Sequence, residues 1–203
     1  YALYEQVNAL RRENNLSGQD QAELAALLRR ITDMMSLLTR VANTIEEVQN
    51  ALGDMSIDTV TSADKDAILA FAAQIAQLTE GENLTAQQRA LCQSIAAYAK
   101  QLVDRIDAVA AEIAAIAKAC DRTEQNVSTD DAQSLAWAVE HVGVLLAGSN
   151  LTDDERASLE AYLETAQSLA KIVNALLDEI ARIDAETTKL ENKSLTAEDA
   201  AQI

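Results

Sequence analysis

Proline is absent from this chain, and glycine occurs only five times in 203 residues. The residue that most often breaks a helix is therefore missing, and the one that most loosens it is scarce. Aromatic residues make up 3% of the sequence, with one Trp and one Phe. Sheets favour aromatic and β-branched side chains, so this composition excludes a β-rich fold and suits long helices.

Chemistry-bearing residues are equally sparse. His141 is the single histidine, so the H-E-x-x-H and paired E-x-x-H patterns of helical zinc and di-iron sites lack their ligands. The acidic run Thr152–Glu155 lacks the alternating oxygen donors and the central Gly of a calcium loop. Neither a glycine-rich phosphate loop nor a G-x-S-x-G nucleophile turn is present. No catalytic, cofactor-binding or metal-binding residue is expected, and no enzymatic activity.

Basic residues are few. Sixteen Lys and Arg face 33 Asp and Glu, a net charge of −17. Phosphate-binding surfaces need clustered cations, which argues against nucleic acid as a partner and against anionic membrane surfaces. No apolar run approaches the roughly 20 residues that span a bilayer. The chain opens on Tyr1 inside a helical pattern, with no secretory leader, so it is expected to be a segment of something longer.

Hydrophobic residues, chiefly Ala, account for 49% of the sequence, and their order repeats. The stretch GENLTAQQRA at Gly81–Ala90 returns as GSNLTDDERA at Gly148–Ala157. The same register pairs Val60 with Val127, Leu102 with Leu169, and Ile116 with Ile183, and an earlier copy starts at Asn15. The period is about 67 residues.

Within each period lies a shorter signal: an apolar residue, then Ser or Thr, then an acid or amide three positions on. It occurs at Leu16-Ser17…Asp20, Val60-Thr61…Asp64, Leu84-Thr85…Gln88, Val127-Ser128…Asp131, Leu151-Thr152…Glu155 and Leu195-Thr196…Asp199. This is a helix start, in which hydroxyl and carboxylate or amide satisfy the first free N–H groups reciprocally. The spacing of these starts alternates long and short. It predicts long helices over 18–51, 86–120 and 153–190, with short helices between them ending near Gly81 and Gly148 in left-handed glycine caps.

Along the first long helix, apolar residues fall at Leu24, Leu28, Ile31, Met35, Leu38, Ala42, Ile45 and Leu52. A flanking row adds Leu27, Met34, Val41 and Val48. So wide a stripe suits contact with two neighbours. A helix of about 36 residues is about 54 Å long, twice the length of a short one, so each short helix covers half of a long one.

The expected fold is therefore all-α: tandem three-helix bundles sharing long continuous helices, forming an elongated rod. Its divisions are a partial bundle at 1–34, complete bundles at 35–102 and 103–170, and a partial bundle at 171–203.

The pattern V-[ST]-x-x-D, followed by L-x-x-G-x-N-L-T-x-x-[QE]-R-A and a heptad-patterned helix, resembles helical repeat modules in the stalks of Gram-positive cell-wall-anchored surface proteins. The chaining of bundles is similar to spectrin. This resemblance implies an extracellular, surface-attached location with the anchor outside the sequence, and a stalk or spacer role. The alternative is an adhesion module binding a host or cell-wall ligand, a protein or a glycan, through one bundle face; an acidic intracellular scaffold is a third.

Trp137, where the preceding copy has Ala70, and His141 are candidate contact residues. So are Arg89 and Arg156, which are expected to hold neighbouring acids. Asn15, Asn83, Asn126, Asn150 and Asn192 each open an N-x-[ST] sequon, although capping already explains the hydroxyls. Cys92 and Cys120 lie 28 residues apart on one helix, about 42 Å, which predicts free thiols. The chain is expected to be monomeric.

Overall fold

A computed structural model of the chain describes residues 1–13, 16–80 and 84–191. All regular structure among them is helical: α1 (Ala2–Arg11), α2 (Gly18–Gly53), α3 (Lys65–Glu80), α4 (Ala86–Cys120), α5 (Ala132–Ala147) and α6 (Asp153–Glu191). Single 3-10 turns at Ser62–Asp64 and Thr129–Asp131 lead into α3 and α5. Long helices of 36, 35 and 39 residues thus alternate with helices of 16. Because no Pro interrupts the apolar periodicity, each long helix runs unbroken.

Local hydrogen bonds set the helix starts. Asp20 Oδ2 accepts from the Ser17 backbone N–H and hydroxyl, and the Asp20 N–H donates back to Ser17 Oγ. Thr85 with Gln88 and Thr152 with Glu155 form the same reciprocal pair. At Thr61 and Ser128, the N–H and hydroxyl both donate to the carboxylate three residues on.

At three of these starts the bonds favour the charged form of the acid. The hydroxyl and N–H of Ser17 lower Asp20 below the usual carboxylate range. The N–H of Ser128 and the guanidinium of Arg122 do the same for Asp131. Burial pushes Glu155 up, but its bonds to Thr152 and Ser62 outweigh that and bring it down. The expected start at Thr196 and the glycine end at Gly81 lie outside the described residues.

One glycine differs from expectation. Gly148 is extended (φ −83°, ψ 170°), and no described residue has positive φ. Its N–H donates to Leu145 O at 3.0 Å, and a Cβ there would meet that same oxygen at 3.3 Å. Close approach to the helix end, rather than a left-handed cap, is what favours glycine here.

The chain divides into two compact units. One contains Tyr1–Ser56 and Asp66–Val103, and the other contains Ile57–Lys65 and the chain from Asp104 onward. The division at Val103/Asp104 falls inside α4.

In the first unit the fully or nearly fully buried side chains include Val41, Ile45, Val48 and Leu52 of α2, Ile68 and Ile75 of α3, and Cys92, Ala99 and Leu102 of α4. The row of α2 that flanks the expected heptad supplies Val41 and Val48, while Ala42 is exposed. Tyr98 adds a polar tie, its hydroxyl donating to Met55 O at 2.7 Å.

The described residues of the second unit include an apolar cluster fed by three helices. Val109, Ile116 and Cys120 come from α4, Leu135, Ala138, Val142 and Leu145 from α5, and Leu159, Ala166, Leu169 and Val173 from α6. Burial at these positions follows the helical period, so one face of each helix meets the others.

Cys92 and Cys120 are buried free thiols. Burial raises the pKa of both, and for Cys92 it outweighs the opposing charge of Arg89. Since the thiolate is the nucleophile, both should be slow to react. The native protein is expected to give negligible thiol reaction with a small aromatic disulfide at neutral pH, rising to two thiols per chain under denaturing, non-reducing conditions. Two fast native thiols would contradict this burial.

Candidate contact surface

Trp137 and His141 occupy one side of α5, one helical turn apart. Their ring centroids are 4.4 Å apart with planes inclined by 31°. His141 Nδ1 donates to the Trp137 carbonyl at 3.0 Å, which holds the imidazole against the indole. Both residues are half-buried. Trp137 packs against the apolar cluster of the second unit, so much of its surface contributes to stability.

The exposed side of Trp137 borders an open groove of about 520 Å³ between α4 and the start of α5. Lys118, Arg122, Asp130, Gln133 and Ser134 supply its polar lining, and Ala115 and Ala119 part of its floor. Arg122 pairs with Asp131 at 3.1 Å and also donates to the Asp121 carbonyl, so this cation is held within the protein. The groove is shallow and mixed in character. It offers stacking and hydrogen bonding but no convergent set of catalytic groups.

The two arginines do something other than expected. Arg156 Nη1 donates to Leu146 O at 2.9 Å, and Nη2 to Gly148 O at 3.2 Å. Arg89 Nη1 donates to Thr79 O at 3.1 Å. Both therefore satisfy carbonyls left open at the end of the preceding short helix, rather than holding neighbouring acids. Their position one turn into each long helix lets the guanidinium reach back across the hairpin. This accounts for the repeated Arg without any ligand.

Asn150, read from the sequence only as part of a repeat and a sequon, has the most specific role in this region. It is buried, at 7% exposure, in the α5–α6 hairpin. Its Nδ2 donates to Ile57 O at 2.8 Å and Val60 O at 3.0 Å, while its Oδ1 accepts from Arg105 Nη2 at 3.1 Å. One amide thus fixes the connector before α3 to the hairpin 90 residues later and engages α4 as well. All three bonds lie within the second unit. With both amide hydrogens committed to carbonyls, the sequon at Asn150 is a structural coincidence. The copies at Asn15, Asn83 and Asn192 lie outside the described residues, and Asn126 instead accepts the Thr123 N–H in a local turn.

Among the described residues, no group of three or more His, Cys, Asp or Glu side chains is arranged to hold a metal ion. No described helix is long and apolar enough to cross a membrane. Comparison with known proteins finds no matching family model, no similar curated protein and no similar solved structure.

Proposed function

We propose that the chain is a non-enzymatic stalk or spacer segment of a bacterial cell-surface protein, built from tandem three-helix bundles that share long helices at a period of about 67 residues. The observation that carries this reading is that the division at Val103/Asp104 falls within α4, an unbroken 35-residue helix with no Gly or Pro. A spacer must hold distance, and a continuous helix does so better than a flexible connection. The acidic, aromatic-poor surface supports the same reading, because it discourages association with polyanions.

The groove beside Trp137 favours the second reading, an adhesion module. There a protein or glycan with a flat apolar face would stack on the indole within reach of Lys118 and Gln133.

Small-angle scattering tests the spacer reading. In dilute solution the chain is expected to show a maximum dimension on the order of 90–120 Å, from a rise of about half a long helix per bundle. A radius of gyration near the ~17 Å of a 203-residue globule would overturn it.

A further inference from the structure

The groove beside Trp137 differs from its counterpart in the preceding copy of the repeat, although the cores of the two copies agree. Residues of α2 match those of α4 at an offset of 68, and residues of α3 match those of α5 at 67. In this register Val48 and Ile116, Leu52 and Cys120, Ile68 and Leu135, and Ile75 and Val142 are all buried pairs.

The groove positions tell a different story. Lys118 stands where the other copy has Asn50, Arg122 where it has Asp54, and Gln133 where it has Asp66. Ala115 takes the place of Glu47, and Trp137 that of Ala70. Asp130, in the place of Ala63, is the one change in the opposite sense. Three acids and no base thus become two bases and one acid, in a chain of net charge −17. The exchanges at 115, 118, 122 and 133 lie at exposed positions in both copies, so core packing does not account for them. All the groove residues come from the end of α4 and the start of α5, inside a unit whose cluster of three helices is described.

The chemistry of the lining narrows the ligand. Arg122 is held by Asp131 and the Asp121 carbonyl, but Lys118 has no ion-pair partner among the described residues. An anion therefore meets one unclaimed cation there, away from the repulsion of the acidic surface. The Gln133 amide both donates and accepts, and Ser134 Oγ, whose proton goes to the Asp131 carbonyl, is left as an acceptor. Such a lining suits a ligand rich in hydroxyls. His141 braces the indole from the turn beyond it, while the groove opens toward the turn before. Eight residues line the groove, against the roughly 20–30 a side of a stable protein interface. Its volume of about 520 Å³ lies in the range of small-ligand sites.

We propose that this groove binds a short acidic saccharide, with a sugar ring stacked on Trp137 and its carboxylate paired with Lys118. The inference deepens and rests on the adhesion reading of the groove, and it is independent of the spacer role.

Trp137 is the one Trp of the chain, so its fluorescence reports this groove alone. Titration of the full chain with galacturonic acid trimer is expected to change the emission saturably, with a Kd on the order of 0.1–1 mM. The methyl ester of the same trimer, which keeps the rings and loses the charge, is expected to bind at least about fivefold more weakly. Lys118→Asn and Gln133→Asp each restore the other copy's residue at an exposed position, so the fold is not at risk. Each is expected to weaken binding about three- to fivefold, with wild-type helicity by circular dichroism.

Equal affinity for acid and ester would overturn the proposal, because the charge would then not be read. Unchanged affinity in both variants would overturn it too, by placing the saccharide elsewhere. A soluble peptide of alternating Asp and Phe separates this failure from that of the adhesion reading. A response to the peptide and none to the trimer would overturn the saccharide while leaving an adhesive groove. Silence toward both would remove the saccharide and the adhesive role of this groove together.

Discussion

Asn150→Ala is expected to destabilise the second unit by about 2–4 kcal/mol, because it removes a donor to two carbonyls and an acceptor for a guanidinium together. The carbonyls of Ile57 and Val60 lose their shared partner, beside a Val60 side chain that is 3% exposed. Arg105 loses its bond to the amide oxygen. Urea unfolding would read the loss as a lower midpoint at unchanged slope.

Asn150→Asp separates the two halves of the role. The carboxylate keeps the acceptor and attracts Arg105 more strongly, but it turns a lone pair toward two carbonyl oxygens where Asn offers N–H. If holding the connector is the main contribution, Asp should be at least as damaging as Ala at neutral pH. A wild-type midpoint for Asn150→Asp would show that the Arg105 contact carries the effect instead.

Leu135→Ala is the other large expected loss, about 2–5 kcal/mol by the usual range for deleting a fully buried leucine side chain. Leu135 is 0% exposed within the cluster shared by α4, α5 and α6. Interiors are close-packed, so helices from three directions cannot all collapse into the space it leaves. Leu176→Ala provides the comparison, being the same chemical change on a side chain 42% exposed. In dilute solution it should cost only a few tenths of a kcal/mol. Equal losses for the two would mean that the C-terminal half of α6 is already covered in the monomer. Thermal unfolding followed by circular dichroism at low micromolar concentration distinguishes these outcomes.

Helix positions were legible in the sequence because their determinants are local. A cap joins residues three apart, and Ser17 with Asp20, Thr85 with Gln88 and Thr152 with Glu155 form their bonds whatever lies elsewhere in the chain. The predicted starts at 18, 86 and 153 therefore coincide with those observed, and the long helices end within two residues of expectation. The absence of Pro and the 3.6-residue period guaranteed continuity between those points.

The candidate contact residues were only half legible. Trp137 and His141 lie four apart on one helix, so their adjacency follows from the spacing. For Arg89 and Arg156 the sequence points to neighbouring acids, because opposite charges attract. The hairpin brings unsatisfied helix-end carbonyls nearer, and an unpaired carbonyl is costly enough to claim the guanidinium.

By itself, then, the sequence determined where each helix begins, how far it runs and that the pattern recurs. Those features depend on bonds and periodicities spanning a few residues. Only the tertiary structure decided which members of the two apolar rows on α2 are covered, Ile45 and Leu52 from one and Val41 and Val48 from the other, since that depends on the azimuth at which neighbouring helices approach. It alone gave Asn150 partners at Ile57 and Val60, about 90 residues away, which no local pattern encodes. It also decided that Ile180 and Ile183 stand in water while Ile45 and Val48, in the same register, do not. An apolar stripe fixes what a helix can bury, and burial itself requires a partner on the other side.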